Sequence, residues 1–493
     1  MPMLYPDKKS LQAQDLSRQK LLKASYDFSS SFLLTLAHHE QPLCCEEVVR
    51  IVPGKRLVAF GQWNNREVVA KIFFSRQAKQ HQQRDLKGAQ ALMAAKIPSP
   101  ALLHIDTNQD RSMQILIFER IANAQSLESF WQTKKNFSDS ENILHVLAIE
   151  LATQHVLGLV QEDLHLKNFL VANDKIYTLD GASIQDHEGA LSKKQSLENL
   201  ALLFSQLGIH TQPLQQRLFQ SYVKARSWLV EKADVNFLQK SIQHWNRSRW
   251  HYYSRKIFRS STQFAKTRNL TRYSIHDRQY TSPSFQKFLA DPDAFLKHAD
   301  ALTLKNGRTS TVVNIQIDGR ALVVKRYNIK NFWHGLIKMI KPSRAQTSWR
   351  LAHQLQFVGI NTAKPVAFIE KRFLGLRRKS YFVMEYIEGT RADHFFNTPA
   401  HDSVTCALVA KKIIALFFNL ARLRLSHGDL KITNILLNTH LDPALIDLDS
   451  MREHYSSLSL WHRFRKDMQR FLENWREEPS LQQVFQNLIN EIQ

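Results

Sequence analysis

Two short stretches set acidic and amide side chains at the same spacing. One runs Gln161-Glu162-Asp163-Leu164-His165-Leu166-Lys167-Asn168, the other His427-Gly428-Asp429-Leu430-Lys431-Ile432-Thr433-Asn434. Both read Asp-Leu-x-x-x-Asn and continue into an apolar run. A further aspartate follows each: Asp180 in YTLDGA, 12 residues after Asn168, and Asp447 in LIDLD, 13 after Asn434. A loop aspartate can accept the proton of an acceptor hydroxyl. An asparagine a few residues on returns to the same pocket and can bind a metal ion, and a third group, an aspartate on an adjoining strand or turn, can bridge metal to phosphate oxygens. That equipment suits phosphoryl transfer, which depends on positioning and charge stabilisation more than on covalent catalysis. A strand lysine that reaches the nucleotide phosphates completes the set, and each copy has one: Lys71 in EVVAKIFF and Lys325 in ALVVKRY. A single Asp-x-x-x-x-Asn arises by chance in most long chains; four features in one order, twice, 266 residues apart, do not.

The elements that must position these residues repeat as well. Each lysine run follows a hairpin signal, Asn64-Asn65 or Asp318-Gly319. Each is followed by a helical stretch and a proline-marked strand entry, AAKIPSPALLH or FVGINTAKPVAF, and then by a strand ending at Glu119 (ILIFERI) or Glu385 (YFVMEYIEG). Those glutamates precede an expected hinge whose backbone would meet the nucleotide base. Long helical patterns, Asn142 to Leu157 and Val404 to Leu425, lead into the two loops. The order predicts an α+β chain folded twice: an N-terminal helical extension over 1–46, a first domain with basic C-terminal helices over 47–265, a linker over 266–295 and a second domain over 296–493. Neither copy has a G-x-G-x-x-G loop. Gly54 and Gly307 stand alone at those turns, leaving backbone N–H groups with Lys55, Arg56, Arg308, Thr309 and Ser310 to cradle phosphates. Asp85 is placed on a helix where it could orient Lys71, or could equally be a solvated helix aspartate. No acid occurs between Gly319 and Ile369, so Lys325 has no helix partner of that kind. Lys431 can neutralise a transferring phosphoryl group, where the first copy has His165. Asp447 rather than Asp449 is the expected ligand, because its apolar lead-in matches that of Asp180. His155 and His353 fall in helical patterns and are expected to be packing residues.

The chain has 493 residues with 43% hydrophobic and 23% charged side chains, which supports ordinary globular cores. Its formal charge of +23 calls for an anionic partner: nucleic acid, a phosphorylated substrate or an anionic membrane surface. No nucleic-acid recognition motif is present, so that class is not expected. Cys44, Cys45 and Cys406 fit neither metal spacing nor a disulfide framework. The N-terminal stretch lacks an apolar core, and the apolar run Ile413 to Leu420 is too short to span a bilayer, so neither a signal peptide nor a membrane span is expected. Residues 241–280 carry nine Lys/Arg and one acid, interleaved with Trp245, Trp250, Tyr252, Tyr253 and Phe258. That segment reads either as a surface facing lipid or phosphate, or as an amphipathic helix with a solvated basic face. A second basic block runs from Gly319 to Ile369, and Arg372, Arg377, Arg378 and Lys379 cluster on a strand–strand loop.

The stretches KRYNIKNFWHGLIKMIKPSRAQTSWRLAHQLQFVGINTAKPVAF, YFVMEYIEG, SHGDLKITNILL and ALIDLD resemble the lipopolysaccharide core kinase family, which comprises Kdo and heptose kinases and their InaA-type relatives. The first half resembles it more loosely, through VVAK, IFERI, QEDLHLKNFL and TLDGA. The resemblance implies two tandem protein-kinase-like bilobal domains joined by a basic helical segment and linker. It also implies ATP-dependent, Mg2+-assisted phosphorylation of a sugar hydroxyl of the lipopolysaccharide inner core, on the inner face of the bacterial cytoplasmic membrane. By the same resemblance Asp163 and Asp429 are catalytic bases assisted by Lys431. Asn168, Asp180, Asn434 and Asp447 are metal ligands, and Lys71 and Lys325 hold nucleotide phosphates. The missing helix acid and poor glycine loops leave open an alternative, a scaffold for core assembly with one or both domains inactive.

Overall fold

The computed structural model describes residues 16–133, 137–328, 342–374, 376–398 and 401–492. Residues 1–15 of the expected extension, and 329–341 of the second basic block, lie outside the described residues. The chain divides into two compact units, Met1–Gln206 with Thr211–Asn246, and Leu207–His210 with Arg247–Gln493.

The first unit opens with an antiparallel sheet of six strands: β1 (Phe32–Leu34), β2 (Leu43–Val52), β3 (Arg56–Trp63), β4 (Arg66–Phe73), β5 (Leu102–Thr107) and β6 (Gln114–Glu119), in the order β1-β2-β3-β4-β6-β5. Asn64 and Asn65 both take positive φ, 51° and 59°, the backbone a two-residue hairpin between right-twisted strands requires. Alternation then gives the sheet two faces. Leu57, Ala59, Val68, Ala70 and Ile72 point into an apolar core with Ile115 and Ile117. Val58, Phe60, Val69 and Lys71 point the other way. Helix α1 (Ala78–Ala94) follows β4 and carries Asp85; helix α2 (Phe137–Val156) buries Leu144, Leu147, Ala148 and Leu151 ahead of the first loop; helix α3 (Lys193–Phe204) comes after it.

Helix α4 (Lys232–Lys256) contains the boundary between the units. In the second unit, Trp250, Tyr253 and Phe258 pack against the core, Tyr253 stacks on Phe357 at 5.4 Å, and the Trp349 indole donates to the Ile257 carbonyl at 3.0 Å. Most of the aromatic residues that interleave with charge in 241–280 therefore face inward; Tyr252 is exposed.

The stretch 266–295, expected as a linker, is part of this unit's fold. Strands β7 (Phe264–Arg268) and β8 (Arg272–Asp277) are followed by two short helices, Pro283–Ala290 and Pro292–Leu296. Phe264, Ile275, Phe285 and Phe288 are fully buried, so its polar composition belongs to the outward face of half-buried elements. Five more strands complete a seven-stranded sheet: β9 (Leu302–Asn306), β10 (Ser310–Ile317), β11 (Arg320–Tyr327), β12 (Pro365–Phe373) and β13 (Leu376–Glu385), in the order β7-β8-β12-β13-β11-β10-β9. Its β9-β10-β11-β13-β12 portion repeats the β2-β3-β4-β6-β5 order of the first unit. The hairpin before Lys325 again uses two positive-φ residues, Asp318 and Gly319. Helix α5 (Arg344–Phe357) lies between β11 and β12, and helices α6 (Ser403–Arg422), α7 (Ser457–Leu472) and α8 (Pro479–Ile492) form the helical portion. By length and composition α6 could cross a membrane. It buries Val409, Ile413, Ile414 and Phe417 in the unit's main core, as a core helix does.

Candidate active sites

In the first unit β4 presents Lys71 on the sheet face opposite the core. Its Nζ lies 2.8 and 3.0 Å from the two carboxylate oxygens of Asp85 and 3.9 Å from Asp180. Asp85 is fully buried, with Arg56 3.9 Å away. Two glycines make the approach possible. A Cβ on Gly88 of α1 would stand 1.9 Å from the carbonyl oxygen of Gly181, and one on Gly181 would stand 2.3 Å from that of Asp85. Helix α1 therefore runs backbone to backbone against the turn that follows Asp180. Asp180 sits in the left-handed region, φ 64° and ψ 66°, a conformation that costs a non-glycine residue roughly 1–3 kcal/mol and that clusters at functional sites.

The Asn168 amide donates to the Asp163 carbonyl at 2.8 Å, and Leu179 N–H donates to the Asn168 carbonyl at 2.8 Å, so loop and aspartate turn are tied together. Around them opens a cavity of about 700 Å3, within the usual range for small-molecule sites. Val58, Phe60, Val69, Phe118 and Leu170 give it apolar walls; Lys71, Asp85, Asn168 and Asp180 give it charge; Glu119 to Ala122 edge it. Asp163 is exposed and outside the lining, reached through its bond to Asn168. Lys167, which the sequence reading passed over, does line the cavity and pairs with Glu128 at 3.2 Å. Its signal was a cation directly before the asparagine. Behind the loop, Asn199 of α3 donates to the Gln161 carbonyl at 3.0 Å and bonds His155, whose other nitrogen meets the Tyr222 hydroxyl. Burial depresses the His155 imidazole to about 4, as a neutral packing residue requires. His353 is likewise buried and depressed to about 3.

The second unit repeats this frame. Asn434 donates to the Asp429 carbonyl at 2.9 Å, Ile446 N–H donates to the Asn434 carbonyl at 3.0 Å, and Asp447 is left-handed at φ 62° and ψ 53°. The lysine's partners differ. Lys325, 6% exposed, bonds Asp447 directly and lies 3.3 Å from Asp449. Asp449, 3% exposed at its side chain, is also held by Arg344 from the first turn of α5. The helix that carries an acid in the first unit carries an arginine here, and the acid has moved to the loop. Asp449 was set aside in the sequence reading, yet it is what supplies Lys325 with a second carboxylate. Burial works to raise Asp447, and the Lys325 ammonium overrides it, holding that carboxyl below the ordinary value. Asp449 is held above its ordinary value by burial together with the neighbouring Asp447, against the pull of Lys325.

Asp429 lies 3.3 Å from Lys431 and 2.8 Å from Arg470 of α7. Asp467, also on α7, accepts the backbone N–H groups of His427 and Gly428 at 2.7 and 3.0 Å and fixes the loop's entry. Glu385, at the end of β13, receives Lys364 at 2.9 Å and the Tyr280 hydroxyl, so its side chain is ion-paired.

The donors fit a hard divalent cation. Asp180 and Asn168 bring a carboxylate and an amide to one cavity, oxygen chemistry of the kind Mg2+ prefers. In the second unit the same pair of types is present, but a cation must compete with the Lys325 ammonium for Asp447. Among curated proteins the chain has no match. Over residues 295–489, the span that carries Lys325 and the second loop, it matches the lipopolysaccharide kinase (Kdo/WaaP) family.

Proposed function

We propose that the chain is an ATP-dependent phosphotransferase that phosphorylates a sugar hydroxyl, of heptose or Kdo, in the lipopolysaccharide inner core. One observation carries this reading: the loop asparagine and a left-handed aspartate recur in the same hydrogen-bonded frame in both units, each with a strand lysine beside the aspartate, and the second copy lies in the family-matched span. The two units are then tandem protein-kinase-like domains. Lys71 and Lys325 hold nucleotide phosphates, and the backbone at Glu119 and Glu385 borders the base. Asp85 orients Lys71. Asp163 and Asp429 accept the acceptor's proton, and Lys431 neutralises charge on the transferring group. Asn168, Asp180, Asn434 and Asp447 would hold Mg2+, which when bound neutralises the phosphate oxygens. The expected setting is the cytoplasmic side of the inner membrane, with the core glycolipid as partner.

A second reading is favoured by the direct Lys325–Asp447 bond. If that bond persists with nucleotide present, the second unit is a scaffold and the first unit, with its open cavity, is the enzyme. ATP turnover on purified core glycolipid, read by mass spectrometry for the wild type, Asp163→Asn and Asp429→Asn, decides between them. Loss in one variant alone assigns the chemistry to that unit. Wild-type turnover in both variants and in the double variant refutes the enzymatic reading.

A further inference from the structure

Helix α7 sorts its side chains sharply. Leu460, Phe464, Met468 and Phe471 are buried along one stripe, while Leu458, Trp461 and Arg465 line up at helical spacing along the face that flanks it, Trp461 touching the stripe at Phe464. Leu458 is 85% exposed, Trp461 46%, and Tyr455, just ahead of the helix, 89%. One large apolar side chain in water is ordinary; three within one helical turn and its lead-in form a patch. Cations surround it. Arg463, Arg465 and Lys466 are exposed and have no carboxylate within ion-pair distance among the described residues. The acid nearest the patch in sequence, Glu453, is already paired with Arg350 at 3.2 Å. Trp461 and Arg465 also wall a groove of about 790 Å3 floored by Phe418, Phe464 and Met468.

Apolar and aromatic tips ringed by uncompensated Lys and Arg match the headgroup layer of an anionic bilayer, where the tips enter the acyl boundary and the cations stay among the phosphates. We propose that Tyr455 and the first turns of α7 are the surface by which this chain docks on an anionic lipid bilayer. The same helix holds the second loop, through Asp467 and through Arg470 on Asp429. At 1.5 Å per residue, Arg470 lies roughly 18 Å along the helix from Leu458. Docking would thus hold the loop at a fixed distance from the lipid and limit which sugar of a membrane-anchored acceptor it meets. Only that last consequence rests on the phosphotransfer reading.

The test is flotation of the full chain with phosphatidylcholine vesicles, with and without phosphatidylglycerol. Binding is expected only with phosphatidylglycerol and should weaken as salt is added. Neutralising Arg463, Arg465 and Lys466 together should lower partitioning about a hundredfold. Tyr455→Asp with Leu458→Asp should abolish it at an unchanged melting temperature, since both side chains are almost wholly in water. Absence of flotation in the wild type, or wild-type flotation in both variants, overturns the proposal. So does loss of flotation only when Arg247, Arg249, Arg255, Lys256 and Arg259 are neutralised, which would place the surface elsewhere. A dimer dispersed by Leu458→Asp without vesicle binding would assign the patch to a second copy and also overturn it. Turnover on a soluble, delipidated acceptor tests the phosphotransfer reading separately: its failure with flotation intact supports docking and sinks only that reading.

Discussion

Replacing Asp449 by Asn tests how the second unit positions its lysine. Lys325 lies between Asp447 and Asp449, its Nζ 3.3 Å from the latter, and Asp449 is also held by Arg344. At that separation the charge–charge attraction is about 5 kcal/mol for an effective dielectric near 20. Asparagine keeps an oxygen acceptor and relieves repulsion from Asp447, so the expected net loss is smaller, about 3 kcal/mol, at the low end for breaking a buried pair. The loss falls on the metal site. On the proposed assignment Mg2+ would draw Asp447 away from Lys325, which Asp449 would then hold alone; in the variant Asp447 is the lysine's sole carboxylate among the described residues, and a metal ion would compete with the ammonium with nothing to take its place. By the conversion of 1.4 kcal/mol per tenfold, the Mg2+ concentration for half-maximal turnover should rise by up to about a hundredfold, with activity recovering at high metal. The assay is ATP turnover against a Mg2+ titration, in an Asp163→Asn background so that only the second unit is read, with thermal unfolding alongside. An unchanged Mg2+ dependence in a folded variant would show that Asp449 does not hold Lys325 during turnover. A loss that no Mg2+ concentration repairs would refute the competition argument.

Asp163→Asn or Asp429→Asn should lower the turnover of an active unit about 10²–10⁴-fold with Mg-ATP binding nearly intact, as equilibrium nucleotide binding would show. Lys71→Met leaves Asp85 buried with only Arg56 at 3.9 Å, and should cost about 3–5 kcal/mol of first-unit stability by urea unfolding. Gly88→Ala forces a methyl against the Gly181 carbonyl, so it should destabilise by about 1–3 kcal/mol and weaken nucleotide binding by displacing Asp180. His155 is kept neutral by burial, its value depressed from 6.5 to about 4. Its contribution is therefore complete above pH 6.5 and is lost as pH falls towards 4, about 3 kcal/mol in all. His155→Gln should flatten that part of the stability–pH profile.

The sequence was most legible where a local rule decides. Two-residue hairpins with Asn-Asn and Asp-Gly, alternating strands around each lysine, and the repeated loop spacing led directly to the observed elements. Asp85 was legible only as a candidate partner for Lys71; its full burial against the lysine, which sequence does not show, decides it. Asp449 was passed over because its role depends on Arg344, more than 100 residues away, turning it inward. The stretch 266–295 was misread for a related reason. Strands β7 and β8 bury one face and solvate the other, and in a basic, polar segment that alternation resembles a linker until a neighbouring sheet edge is supplied. Composition left the aromatic segment 241–280 open between a lipid-facing surface and an amphipathic helix, because it does not show that Trp250 and Tyr253 have a core to enter.

The two units hold one feature constant and vary another, and the pairing says which constraint is the stronger. In both, the asparagine amide caps the loop aspartate's carbonyl, its own carbonyl takes the N–H of the residue before the second aspartate, and that aspartate is forced left-handed. Two unrelated acidic loops have no reason to share an unfavourable backbone conformation at the same place in the same hydrogen-bond frame. What varies is the lysine's counter-ion: helix-borne Asp85, which leaves Asp180 at 3.9 Å, or loop-borne Asp449, which leaves Asp447 in direct contact. The first arrangement fixes the lysine while keeping Asp180, the proposed metal ligand, out of hydrogen-bond contact with it. The second fixes the lysine by spending the carboxylate a metal would need. The difference therefore predicts that the first unit engages Mg-nucleotide at lower Mg2+ than the second, a comparison that titrations of Asp163→Asn and Asp429→Asn make directly. Equal Mg2+ requirements in the two variants would show that the counter-ion's position does not govern the metal site.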